Sequence, residues 1–248
     1  MKISILASGS KGNSTLIETK HKNILIDVGL PLSNLEKRLE KSMPKIDVLI
    51  ITHTHTDHIK GINSILKKQN PIIYTIESNL EEKINNYPNI NYSKKLEEEN
   101  QTIELFELSH DVPCVGISIK ENEKELIYIT DTGYIKEKYL KKYQNKTVYI
   151  IESNYEEEML NNGKYPFHLK QRIRSDRGHI SNEDTCRYLK KLIGNNTKYL
   201  FLAHLSEENN SPEIVKERVE KTLKNIDNNI KEVTICSQYE KKELNLTR

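Results

Sequence analysis

A chain of 248 residues is long enough to bury a sizeable core as one domain, or at most two. Charged residues make up 30% and hydrophobic ones 35%, and the formal net charge is +2, so no global basic field calls for a polyanion and any such site must be local. No stretch approaches the ~18 apolar residues of a membrane span, and residues 1–7 turn polar too soon for a signal peptide.

In chain order, the first half is rich in short apolar or alternating runs bounded by turn residues. Strands are expected at 3–7, 14–18, 23–27 and 48–51, with a helix at 32–39 after Pro31. Residues 57–68 read as one helix with Ile59, Ile62, Ile65 and Leu66 on a common face. Strands return at 71–75, 102–108, 115–120, 125–130 and 148–152. Short helices are expected at 155–160 and 167–173. A longer one spans 181–192, where Ser181 caps and Asp184 stands three residues on. A strand at 198–203, a helix at 211–223 opened by Ser211-Pro212, and a strand at 232–236 complete the pattern. Two halves of strands followed by helices suggest two sheets packed face to face with helices outside. Cys114, Cys186 and Cys236 are odd in number and widely spaced, which fits a cytoplasmic protein with reduced thiols and no thiolate metal site.

The most informative segment follows the apolar run 48–51. It reads His53-x-His55-x-Asp57-His58, three imidazoles and a carboxylate in metal-ligand spacing. Such donors suit Zn, Mn or Fe better than Ca or Mg. A polar loop of merely hydrogen-bonded histidines is the alternative, but this composition rarely assembles such a cluster by chance. Other candidates also stand where strands end. His110 and His204 lie at or just after apolar runs, Asp131 ends another, and His179 precedes a helix. His21 and His168 fit no pattern. By position alone His204 is either a ligand or a satisfied core residue, and Asp27 either a partner to a ligand or a plain strand-end carboxylate. Asp111 reads as a structural neighbour of His110. The Gly- and Ser-rich loop 8–14 carries Ser10, Lys11 and Asn13, whose hydroxyls, charge and nearby N–H groups suit a phosphate or an ordinary hairpin. Residues 170–177 are the densest basic stretch near a site motif. There Arg172 and Arg174 suit backbone phosphates or a solvated helix end.

Taken together, Asp27, the His53–His58 motif, His110, Asp131 and His204 cover nearly the whole chain and resemble the metallo-β-lactamase-fold hydrolases. The resemblance implies an α/β four-layer αββα sandwich, one domain over 1–248, with a metal site along one sheet edge. It implies that His53, His55 and His110 hold one ion, that Asp57, His58 and His204 hold a second, and that Asp131 bridges both. Two divalent ions ~4 Å apart would lower the pKa of a bridging water and clamp both oxygens of an in-line displacement. Asp57 would also hold that water as a base, and Asp27 would orient a ligand histidine through its other ring N–H.

Gly178-His179-Ile180-Ser181-Asn182 resembles the segment by which nucleases of this fold contact the scissile phosphate or protonate the leaving oxygen. His179 would take that role, or serve only as a local cap. With segments 7–15, 151–154 and 202–210, it resembles the WalJ group (also YycJ or VicX) of small bacterial proteins of this fold. That group is described as 5′-to-3′ DNA exonucleases encoded beside a cell-wall two-component system. The resemblance thus implies a cytoplasmic two-metal phosphodiesterase acting on nucleic acid, most specifically a 5′-to-3′ DNA exonuclease. It would use two divalent ions, Zn or Mn with Fe as a further candidate, and neither a membrane nor an obligate protein partner. The alternatives are a small-nucleotide or RNA-processing phosphodiesterase and a non-catalytic metal-binding scaffold in cell-wall signalling. A β-lactamase would leave His179 unexplained.

Overall fold

The computed structural model describes residues 1–77, 80–84 and 87–246. The first sheet is built from β1 (Lys2–Ala7), β2 (Ser14–Glu18), β3 (Asn23–Ile26), β4 (Val48–Ile50), β5 (Ile72–Tyr74) and β6 (Ile90–Asn91). The second contains β7 (Lys95–Glu98), β8 (Gln101–Leu108), β9 (Cys114–Glu121), β10 (Lys124–Ile129), β11 (Val148–Glu152), β12 (Tyr199–Ala203) and β13 (Glu232–Ile235). A last strand, β14 (Lys242–Asn245), returns to the first sheet, so the orders are β14-β1-β2-β3-β4-β5-β6 and β13-β12-β11-β10-β9-β8-β7. Both sheets are mixed. The strands that matter for the site are their parallel ones, β3-β4-β5 and β10-β11-β12. Parallel strands are covered on both faces, which is why they read as continuous apolar runs.

The chain forms two compact units, Met1–Leu105 with Cys236–Arg248, and Phe106–Ile235. In the first, α1 (Leu32–Leu39) buries Leu32, Leu35 and Leu39 at helical spacing against Leu25, Leu49 and Ile73 of the core. It ends where Glu40 turns left-handed, with Lys37 and Arg38 favourably placed in the last turn. The single helix expected over 57–68 is instead two, α2 (Thr56–Ile59) and α3 (Ile62–Leu66). The break is at Gly61, whose N–H donates to Val28 O at 2.7 Å rather than back along the helix. α4 (Leu80–Lys83) is a single turn on a buried leucine, with no counterpart among the expected elements.

The second unit carries α5 (Glu137–Lys142), α6 (Glu157–Asn162), α7 (Phe167–Arg174), α8 (Asn182–Leu192) and α9 (Pro212–Leu223). Ser181 caps α8, accepting from Asp184 N–H, and Ser211 caps α9, which opens on Pro212, both as their sequences require. α8 and α9 lay Leu189, Leu192, Val215 and Val219 on the core under β10, β11 and β12. Among the described residues no helix is long and apolar enough to cross a membrane.

The turn after β3 meets two other backbones. Gly29 N–H donates to Asn13 O and Asn13 N–H to Asp57 O, both at 2.8 Å. A Cβ on Gly29 would stand 1.8 Å from Asp57 O and 2.3 Å from Asn13 N, so no side chain fits without moving the backbone that carries Asp57. Gly29→Ala is therefore expected to destabilise the protein by about 3 kcal/mol, the upper range for overpacking. Urea unfolding measures it, and an unchanged midpoint would show that these segments separate at little cost.

Candidate metal centre

Parallel register brings the site residues to the carboxyl ends of their strands. Ile26 pairs with Ile50 and Ile50 with Tyr74, so Asp27 and Thr52 leave the first sheet at the same end. In the second sheet Ile129 pairs with Ile151 and Glu152 with Ala203, which sets Asp131, Glu152 and His204 at one end. Open parallel sheets bind ligands at this end. Asp27, Asp131 and His204 each take a left-handed backbone just past their strands, with φ of 57°, 59° and 55°. Non-glycine residues rarely do so, and the conformation costs ~1–2 kcal/mol. It turns each side chain sharply off the strand end.

In the first unit the fully buried Asp27 is the anchor. Its Oδ1 accepts from Thr52 N–H at 2.8 Å, and its Oδ2 accepts from Thr52 Oγ1 at 2.8 Å and from His58 Nδ1 at 2.7 Å. Burial pushes the Asp27 carboxyl up, against the opposing pull of His58 and Thr52. Because the Thr52 hydroxyl proton goes to Asp27, Thr52 Oγ1 accepts from His53 Nδ1, 3.1 Å away. Both imidazoles thereby carry the proton on Nδ1 and turn Nε2 away. The His53 ring lies 4.7 Å from that of His55 and 4.0 Å from that of His58, and His55 stands just before α2 without a capping side-chain bond. His58 Nε2 is 3.4 Å from Asp57 Oδ2.

The glycine-rich loop is tied down around these atoms. Ser8 N–H donates to Ser237 O, Gly9 N–H to Asn13 Oδ1, Lys11 N–H to Gln238 Oε1 and Gly12 N–H to Gly9 O. The phosphate cradle of N–H groups read from the sequence is therefore not offered, because those donors bond within the protein. Asn13 is buried. Its Nδ2 donates to Gly9 O and to Asp57 Oδ2 at 3.1 Å and stands 3.0 Å from His58 Nε2. Ser10 is exposed, and the Lys11 ammonium donates to Tyr239 Oη at 2.7 Å.

In the second unit the anchor is Glu152, fully buried at the end of β11. Its Oε1 accepts from His179 Nδ1 at 2.7 Å and from His204 Nδ1 at 2.9 Å, and its Oε2 from Thr132 N–H at 3.2 Å. Burial opposes its ionisation, but the charge of His179 and the hydrogen bonds from His179 and His204 outweigh it, holding the carboxyl well below the usual range. His204 is further fixed by Asn154 Nδ2, which donates to its carbonyl at 2.8 Å, and His204 Nε2 lies 3.4 Å from Asp131 Oδ1. His110 Nδ1 is 3.3 Å from Gly178 O, which can only accept, and burial lowers the His110 pKa toward the neutral, ligating form.

The donor chemistry fits divalent ions. An ion with bonds of ~2.1 Å in tetrahedral geometry sets two of its ligand atoms ~3.4 Å apart. The Asp57–His58 and Asp131–His204 pairs have that separation, with the imidazole Nε2 turned inward in each. Ligand atoms of Asp131, Glu152, His179 and His204 all lie within 4.8 Å of one another. Glu152 was not among the sequence candidates. Its signals were its place in segment 151–154, part of the resemblance, and a carboxylate closing an apolar strand, as at Asp27 and Asp131. The two arginines are engaged: Arg172 pairs with Asp111, and Arg174 with Glu157 at 3.0 Å.

The chain matches the family described as beta-lactamase superfamily domain over residues 22–204. It is 36% identical over 227 residues to exodeoxyribonuclease WalJ of Streptococcus pneumoniae serotype 2, covering 86% of this chain and 84% of that protein. It is 34% identical over 232 residues to exodeoxyribonuclease YycJ of Bacillus anthracis, covering 89% and 88%. The metallo-beta-lactamase fold protein YhfI of Bacillus subtilis shares the fold with a TM-score of 0.73 at 18% identity, covering 97% of this chain and 98% of that one. The chain belongs to the β-lactamase superfamily, has the metallo-β-lactamase fold that its motifs resemble, and is a hydrolase of that superfamily related to exodeoxyribonucleases.

Removing a carboxylate that orients a ligand histidine typically costs 10–100-fold in metal affinity. Asp27→Ala is expected to show such a loss for zinc in a chelator competition, and an undiminished affinity would separate Asp27 from metal binding.

Proposed function

We propose that this chain is a metal-dependent exodeoxyribonuclease, one domain over residues 1–248. The observation that carries the reading is His179, held at Nδ1 by a buried, ionised Glu152 beside Asp131 and His204. Lactam hydrolysis has no need of such an imidazole, whereas expulsion of a sugar oxygen from a phosphodiester does. DNA as the substrate is supported by the relatives named exodeoxyribonucleases. The 5′-to-3′ polarity rests on the WalJ resemblance, and a cytoplasmic setting on three free thiols.

His53, His55 and His110 would hold one divalent ion, Asp57, His58 and His204 the other, and Asp131 would contact both, with Zn or Mn as the candidate metals. Such ions supply a lowered pKa for water and positive charge opposite the reacting phosphate. The rest falls to the chain's own groups. The Asp57 carboxylate accepts the proton of the attacking water. With Nδ1 committed to Glu152, His179 presents Nε2, and its 21% side-chain exposure leaves that atom within reach of a substrate. The Glu152 charge stabilises the imidazolium that donates to the leaving oxygen. Asp27 and Thr52 keep the His53 and His58 imidazoles in a single tautomer. Ser10, Lys11 and Arg172 meet the phosphates, while Arg174, half-buried against Glu157, holds α7 in place. Asn13, assigned to phosphate by the sequence reading, positions Asp57 instead.

The deciding assay sets the purified protein, with Zn or Mn, against 5′- and 3′-end-labelled duplex DNA, single-stranded DNA and RNA. Stepwise release of nucleotides from the 5′ end of DNA is expected, and cleavage of RNA alone, or of no nucleic acid, overturns the reading. His179→Ala is expected to lower kcat on DNA by about 10²–10⁴-fold without loss of metal. The effect should shrink on bis(p-nitrophenyl) phosphate, whose leaving group needs no proton. Equal losses on both substrates would make His179 a phosphate contact and not an acid. Arg172→Ala should reduce the log–log salt dependence of duplex binding by roughly 0.9. An unchanged slope would mean that Arg172 keeps to Asp111 when DNA is bound.

A further inference from the structure

The chain has three phenylalanines. Phe106 and Phe201 are core residues at 3% and 1% exposure, while Phe167 is 76% exposed, more than any other large hydrophobic side chain described. Phe167 opens α7, in which no residue is buried. Apolar packing therefore does little to hold this helix. Polar ties fix it instead: Lys170 Nζ donates to Asn161 O at 2.8 Å, Arg174 Nε to Glu157 Oε2 at 3.0 Å, and Arg172 reaches Asp111. The far end of α7 is joined to His179, whose N–H donates to Ile173 O at 2.9 Å. Gly178 packs so closely there that a Cβ would stand 2.1 Å from Ile173 O and 2.3 Å from Arg172 O. A surface helix thus carries a solvated aromatic ring at one end and the active-site imidazole at the other. Phe167 and Ile173 are about 9 Å apart along the helix axis, a few nucleotides at ~3.4 Å per stacked step.

The charge around the ring identifies its partner. Lys164, Lys170, Arg172, Arg174 and Arg177 stand against Asp176 in this stretch. The Arg172 side chain is 60% exposed, and its pairing with Asp111 is of the solvent-screened kind that a phosphate can replace. Aromatic rings among cations are the arrangement by which single-stranded nucleic acid is bound without sequence preference, since every base offers a face to stack. Resting on the nuclease reading above, we infer that α7 is a binding platform for single-stranded nucleic acid. Phe167 stacks on a base a few nucleotides from the scissile phosphate, and Lys170 and Arg172 lie along the intervening backbone.

The test is binding of a phosphorothioate single-stranded oligonucleotide by the metal-loaded protein, followed by fluorescence anisotropy. Phe167→Ala is expected to raise Kd at least about 5-fold, and Phe167→Trp to keep or tighten it. Because the ring is solvated, the unfolding midpoint of the alanine variant should match the parent, which separates lost stacking from lost folding. Abasic sites walked along the strand supply the second arm. At one position the parent should lose the same factor as the variant does on intact strand, and Phe167→Ala should lose nothing further. Equal affinity of parent and Phe167→Ala overturns the platform, as does an equal abasic penalty for both proteins at every position. Loss of a parent dimer in the alanine variant, with DNA binding intact, would also overturn it and assign the ring to a second copy of this chain. If the parent hydrolyses bis(p-nitrophenyl) phosphate yet binds no oligonucleotide, the nuclease reading itself fails, an outcome distinct from the others.

Discussion

A buried carboxylate gripping the Nδ1 edge of an imidazole is the contact that recurs in each unit. Asp27 does this for His58, and Glu152 does it for His179 and His204 together. An imidazole has two nitrogens that are interchangeable until a neighbour chooses between them. A carboxylate accepts and never donates while ionised, so its presence puts the proton on Nδ1 and the lone pair on Nε2. The ring then has one orientation and one ligating atom. Without that contact each histidine would spread over tautomers and rotamers, and a metal would meet the full entropy of ordering it.

The two carboxylates respond differently to the same burial. Asp27 has one imidazole and one threonine to offset desolvation, and its pKa stays raised. Glu152 has two imidazoles, and its pKa is lowered. The difference suits the roles proposed for their partners. An imidazole that only ligates needs orientation. One that becomes imidazolium during turnover needs a full negative charge beside it throughout, and His179 has it.

Much of this architecture is visible in the sequence because strands and ligands are linked there. The apolar runs that lead into Asp27, Asp131, Glu152 and His204 are strands that deliver those residues to the carboxyl ends of the parallel strands in their own sheet. What stayed hidden depends on distant partners. Glu152 holds imidazoles 27 and 52 residues further along, a relation that no local pattern encodes. The break at Gly61 is imposed by Val28 and not by the residues of the helix itself. β7 and β14 are rich in Lys and Glu, as outer strands must be to resist pairing with other chains, and so they resemble loops. The loop 8–14 looked like a phosphate cradle because serine and glycine suit one. Gln238, some 226–227 residues away, takes up its Lys11 N–H and Gly12 carbonyl instead.

The left-handed residues show what the sheet ends sustain. Asp27, Asp131 and His204 each hold a conformation that costs ~1–2 kcal/mol, and each follows a strand whose residues are almost wholly buried. Strain of this kind survives only where the surroundings over-determine it. Here the parallel ladders fix the backbone before the turn, and at Asp27 and His204 the hydrogen bonds of Thr52, Glu152 and Asn154 fix the side chain or carbonyl after it. Glycine at the same positions would relax the backbone but supply no ligand. Aspartate and histidine, with asparagine, are the residues most enriched in this region of backbone space, and two of the three are also metal ligands. The position and the chemistry therefore select the same residues, and the strain at each strand end is the consequence of aiming a donor inward where the sheet stops.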